Sequence, residues 1–296
     1  MIFINKYDRK RVSILKWIFK DIYFVLYFVY SYIVNRGKVR TVLFYPDYPS
    51  KRAVLYKVFR NAHFNITNNP RFRHEMGIFW TEHTTRTNDA LSQQLNENQH
   101  LINLNFTDSS KIAVDKAFSA VFKRSTFIDP LNHQGIGVKK SDINAAHDGT
   151  IINCPIQKVE PGSVYQILID NVVDTDFVED IRIPVVKNKI PLVYLKYKHL
   201  EKRFGTFKQS LARIKQHKVI ENPLEVLSQD ELNKILEFCG LLNIDYGELD
   251  VLRDRKSGEI YIIDANNTPH GPTGFSLRDK RKALSLLQDE ILRPAY

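Results

Sequence analysis

The sequence predicts a mixed α/β protein, and three observations predict it. Strand and helix patterns alternate from Val39 to Asn105, two β-hairpin patterns follow at 179–198 and 246–264, and apolar-periodic helices at 228–242 and 276–292 can cover a sheet. The chain divides into an apolar helix (1–38), a small α/β lobe (39–110) and a larger α/β domain (111–296).

Composition permits a globular enzyme. The 296 residues are 43% apolar and 26% charged, enough for one large or two modest cores. Lys and Arg outnumber Asp and Glu by 43 to 33, and the resulting +10 draws phosphates, anionic lipid or nucleic acid. No nucleic-acid motif accompanies the charge. Cys154 and Cys239 sit in apolar surroundings without metal-ligand spacing, so buried thiols in a reduced, cytoplasmic compartment are expected. Neither a cleavable signal pattern nor an internal repeat shows in the sequence.

From Val12 to Val34 the chain is apolar and aromatic, with Lys6, Arg9, Lys10 and Arg11 before it and Arg36, Lys38 and Arg40 after it. Only Ile22 to Val34 is free of charge, short of the ~20 residues a bilayer span needs. Trp17, Tyr23, Tyr27, Tyr30 and Tyr32 suit the headgroup region, so one reading is a helix lying on the anionic inner face of a membrane. The other is a helix packed on the protein's own core or on a homodimer partner.

In the lobe, Val39–Tyr45 reads as a buried strand, 51–61 as a helix, and 63–67, 77–80 and 100–105 as further strands of a small parallel sheet. His74, His83 and His100 are spread too widely to suggest a ligand set. Further on come a helix over 109–123 containing Asp115-Lys116, a strand Gly135–Lys139, a loop 141–150 with Gly149, and a strand 163–170. The first hairpin, 179–198, turns at Lys-Asn-Lys and presents Arg182 and Lys196, with Arg203 shortly beyond. These three suit a phosphoryl group or an acidic substrate. Ser228-Gln-Asp-Glu231 is a capping box that opens the 228–242 helix, and Ser276 opens the last one.

The second hairpin carries the chemistry. Its strands, Tyr246–Arg253 and Glu259–Asp264, are joined by a turn ending in Gly258. Asp264 and Asn266, two apart, share a face that Asp250 reaches from the neighbouring strand. Two carboxylates and an amide oxygen suit Mg²⁺, which completes its octahedron with water and substrate phosphates, although acids also close ordinary surface hairpins.

Asp250, then Asp264-Ala-Asn266, then Thr268-Pro269 resembles the magnesium motif of the ATP-grasp superfamily. The resemblance runs from about Val39 to the C-terminus and implies an ATP-grasp fold with ATP and Mg²⁺ as cofactors. It further implies that Lys116 and Lys139 reach the ATP phosphates and that 141–150 covers them. Gln166 and Leu168 would hold adenine by their backbone, and Asp174 or Asp176 the ribose. Asp250, Asp264 and Asn266 would be the metal ligands. The loop His270–Phe275 would wall the substrate site beside Arg182, Lys196 and Arg203. The family's usual reaction makes an acyl phosphate from a carboxylate and ATP, which an amine then attacks. Dipeptide-forming members have Arg and Gly where this chain has Glu248 and His270, which keeps open a phosphotransferase acting on a hydroxyl. A nucleotide-binding membrane adaptor without turnover is the third reading. By analogy alone, a small or glycan-linked substrate in cell-envelope polysaccharide biosynthesis is expected.

Overall fold

The computed structural model describes residues 14–98, 101–143, 148–203 and 215–293. Val12, His100 and the centre of the predicted loop (144–147) lie outside the described residues, as do the side chains of Trp17 and Tyr23. The chain forms two compact units, one of residues 1–82 and 88–104, the other of 83–87 and 105–296.

The first unit opens with helix α1 (Ile14–Val34), followed by β1 (Thr41–Pro46), α2 (Val54–Asn61), β2 (Asn65–Thr67), β3 (Met76–Trp80), α3 (Ala90–Asn98) and β4 (Leu101–Ile102). Its four strands lie parallel in the order β2-β1-β3-β4. The continuous apolar run Val42-Leu43-Phe44 is fully buried, as a parallel strand covered on both faces requires. Phe44 packs edge-on against Phe59 of α2 and Trp80 of β3. Helix α3 has little apolar periodicity, and sequence patterning does not reveal it.

The second unit contains α4 (Lys111–Phe122), β5 (Gly135–Ser141), β6 (Thr150–Cys154), β7 (Ser163–Ile167), β8 (Phe177–Val186), β9 (Val193–His199), β10 (Lys218–Ile220), α5 (Gln229–Leu242), β11 (Tyr246–Arg253), β12 (Ile260–Asn266) and α6 (Leu277–Ile291). These strands form a three-stranded sheet, β6-β5-β7, and a five-stranded sheet, β10-β9-β8-β11-β12. The first hairpin turns tightly because Lys187 and Asn188 both take positive φ, 46° and 61°, the twist that a two-residue hairpin needs.

Alternation along the five strands sorts the larger sheet into two faces. Ile181, Ile183, Val193, Leu249, Val251 and Ile262 turn inward with Phe118 and Val121 of α4 and Ile235 and Phe238 of α5. Burying each such side chain stabilises by roughly 1.5–3 kcal/mol, which anchors the sheet from behind. The capping box forms: Ser228 Oγ accepts from Glu231 N–H, and Glu231 accepts from Ser228 N–H. Both cysteines are free thiols, Cys239 in the core and Cys154 half-buried.

Candidate functional site

The opposite face of the five-stranded sheet is charged. Asp180 and Arg182 of β8, Lys196 and Lys198 of β9, Glu248 and Asp250 of β11, and Asp264 of β12 fall on alternate positions. In register, Asp250 lies between Arg182 on one side and Asp264 on the other, and Glu248 opposes Asn266. The β11–β12 register shifts between Asp250 and Val251, directly beside the paired aspartates.

Arg182 ties the centre of this face together. One guanidinium nitrogen donates to Glu248 Oε1 at 2.8 Å and the other to Asp250 Oδ2 at 3.0 Å. Burial works against its charge, but Asp250 and Glu248 outweigh burial and raise its pKa. Glu248 is only 3% exposed, so its charge is compensated by an ion pair rather than by water.

A cavity of about 200 Å³ opens between this face and the three-stranded sheet. Val138 and Lys140 of β5 line it from one side, the segment Gln166–Ile169 forms its back, and Lys111 enters from the start of α4. Asp180, Arg182, Lys198, Asp250 and Asp264 line the other side, with Arg203 at the edge. Lys140 is held down to about 8 by burial, only partly countered by Asp264 and Asp250. Asp264 is pushed up to about 6 by burial and by the neighbouring Asp250 charge. Its Oδ1 is buried without a hydrogen-bond partner among the described groups. A carboxylate oxygen left so, beside a second carboxylate and facing two lysines, fits a divalent cation carrying phosphates. No cage of three or more His, Cys, Asp or Glu forms among the described residues, whereas Mg²⁺ needs only one or two carboxylates.

The structure brings Asp250, Asp264, Gln166, Leu168, Arg182 and Arg203 to this cavity. It does not bring Lys116 or Lys139. Asp115 is buried, accepting from Thr126 N–H at 2.6 Å and from the Ser125 and Thr126 hydroxyls, and this turns the next residue, Lys116, outward to solvent. The lysine on the cavity side is Lys111, whose Nζ donates to the Ile143 carbonyl and which follows the N-cap Ser110. On β5 the alternation favours Lys140, while Lys139 points to the other face and pairs with Glu160 at 2.7 Å.

Asp174 and Asp176 also fall outside the lining. Asp174 is exposed, caps the turn by accepting from Asp176 and Phe177 N–H, and pairs with Lys215, whereas Asp180 lines the cavity. Asn266 turns its amide oxygen onto Thr268 N–H at 2.8 Å and is not part of the lining. Lys196 lies on the charged face but not in the lining, with its pKa lowered by burial and by Arg182. His270 is exposed on the loop after β12. Sequence reasoning missed Lys111, Lys140, Asp180 and Lys198. Of these, only Lys111 lies beside a readable local signal, the Ser110 N-cap that opens α4.

The fold of this chain, with two sheets enclosing a charged cavity in its second unit, is that of solved ATP-grasp ligases. Among solved structures it is similar to the VanG D-Ala:D-Ser ligase from Enterococcus faecalis, at 10% identity and a TM-score of 0.56, over 86% of this chain and 99% of that one. It is also similar to the D-alanine–D-alanine ligase from Bacillus anthracis complexed with ATP (14% identity, TM-score 0.52, 86% and 96%). A third is the ATP-grasp ligase PsnB complexed with a minimal precursor (11%, TM-score 0.50, 86% and 98%). No protein-family model matches the sequence, and no curated protein does.

Proposed function

We propose that the protein is an ATP- and Mg²⁺-dependent ligase that activates a carboxylate as an acyl phosphate and joins it to an amine on a small or glycan-linked acceptor. The observation that carries this reading is the in-register pair Asp250–Asp264 facing Lys111 and Lys140 across one cavity. In this reading Lys111, Lys140 and Arg203 hold the phosphates, the Gln166–Leu168 backbone takes the adenine edge, and Asp180 the ribose. Asp250 and Asp264 hold the cation, with Asn266 next to them on the strand. A bound Mg²⁺ would neutralise phosphate oxygens and favour in-line transfer.

The substrate carboxylate oxygen attacks the γ-phosphorus and ADP leaves. The amine then attacks the carbonyl carbon, loses a proton, and phosphate departs. A carboxylate at position 248 would oppose the oxyanion of that second step if it were unpaired, but Arg182 neutralises Glu248 and places a guanidinium on the same face. The same ion pair weakens the phosphotransferase alternative, because a base for a hydroxyl acceptor must be free to take a proton.

Hydroxylamine tests the reading. The protein is incubated with pools of carboxylates, ATP and Mg²⁺; hydroxamate and free phosphate are expected, and γ-labelled ATP leaves no label in the final product. Stable transfer of the label to a hydroxyl substrate would establish the phosphotransferase instead.

A further inference from the structure

Helix α1 is amphipathic in the inverted sense. Its inward side carries Tyr27, Phe28, Ser31 and Asn35, and its polar groups clasp the first unit: the Tyr27 hydroxyl donates to the Arg60 carbonyl at 2.8 Å, and Asn35 Nδ2 donates to the His63 carbonyl at 3.0 Å. Ser31 lies fully buried between them, and the Arg60 guanidinium sits over the Tyr27 ring. The outward side is aliphatic. Ile22, Val25, Leu26, Val29 and Ile33, spaced three or four apart, form one stripe along the helix, with Leu26 64% and Ile33 68% exposed. Tyr30 and Tyr32 border the stripe on either side and are themselves half-exposed. A helix of a globular protein ordinarily turns such a stripe to the core, and an exposed aliphatic stripe of this length marks an interaction surface.

Charge selects what covers it. The first 40 residues hold nine Lys and Arg against two Asp, +7 of the chain's formal +10. Arg36 and Lys38, just past the end of α1, are exposed. A second copy docked on the same stripe would bring two such sets together, whereas an anionic bilayer surface attracts one. Tyrosines bordering the stripe suit the headgroup level. Among the described residues no helix is long and apolar enough to cross a membrane. We infer that α1 lies in the plane of an anionic lipid surface, its Ile22–Ile33 stripe inserted among the acyl chains and the exposed Arg36 and Lys38 on the headgroups. This inference stands independently of the nucleotide site.

The test is sedimentation of the full-length protein with vesicles of equal parts phosphatidylglycerol and phosphatidylcholine, beside vesicles of phosphatidylcholine alone. The protein should pellet with the anionic vesicles, less with the neutral ones, and less as salt rises. The double variant Leu26→Gln/Ile33→Gln removes two inserting side chains and should weaken partitioning at least about tenfold at every salt concentration. Arg36→Gln/Lys38→Gln should weaken it mainly at low salt. Both pairs lie on the exposed surface, and an unchanged circular dichroism melt confirms that the variants fold. Failure of the wild type to pellet with anionic vesicles at low salt would overturn the inference, as would undiminished pelleting of the aliphatic variant. A wild-type dimer in sedimentation equilibrium that Leu26→Gln/Ile33→Gln dissociates would assign the stripe to a second copy instead.

Discussion

Lys139 and Lys140 are adjacent on β5, point to opposite faces, and so provide a test of the site by register. Lys140→Ala should weaken binding of a Mg²⁺–ATP analogue. A charge-assisted contact contributes roughly 1.5–3 kcal/mol, or about 10- to 150-fold in dissociation constant. The charge is available for this at neutral pH, because a lysine held at about 8 is still roughly nine-tenths protonated at pH 7. Lys139→Ala gives up an exposed pair with Glu160 and should bind nucleotide as the wild type does. Lys111→Ala should behave like Lys140→Ala, and Lys116→Ala like Lys139→Ala. Titration calorimetry reads all four. Equal losses at 139 and 140, or wild-type affinity in Lys140→Ala, would refute the assignment of the cavity face.

Lys140 also leaves a mark on the pH dependence of the nucleotide-free protein. It loses its proton near pH 8 when folded and near 10.5 when unfolded, so the unfolded chain holds more protons between those values and stability from this group rises across the window. Urea titrations of Lys140→Met should lack that rise; an unchanged profile would place the lysine in solvent. Asp264→Asn should abolish Mg²⁺-dependent ATP turnover while melting no lower than the wild type, since Oδ1 makes no hydrogen bond to lose; retained turnover would remove Asp264 from the site. Arg182→Leu leaves Glu248 buried and unpaired and should cost about 3–5 kcal/mol in denaturant unfolding. Glu248→Gln in the same chain should recover part of that loss, and strictly additive effects would show that the two are not coupled.

Local patterns were legible from residues alone. The second hairpin, its Asp250–Asp264 pairing, the capping box at Ser228 and the buried strand Val42–Phe44 each follow from turn chemistry, alternation or a cap, all of which act within a few residues. Most other strands and helices, with β4 inside the strand expected at 100–105, were readable for the same reason. β6, β10 and the weakly periodic helix α3 were not; the two strands are short, offer few alternations, and exist through pairing with β5 and β9.

Which lysine faces the cavity was beyond the sequence. Val138-Lys139-Lys140 shows by alternation that one of the two lysines turns inward, but which one depends on how β5 lies against β7. The resemblance points Lys116 at the phosphates, but the Asp115 hydrogen bonds to Ser125 and Thr126 hold α4 so that Lys116 faces solvent and Lys111 the cavity. Glu248, an unexplained anion in the sequence, is neutralised by Arg182, 66 residues earlier and on the adjacent strand. Residue types and spacing determine which chemistry the chain carries. The face each side chain presents is set by the register and rotation of whole elements, and those depend on contacts between residues far apart in sequence.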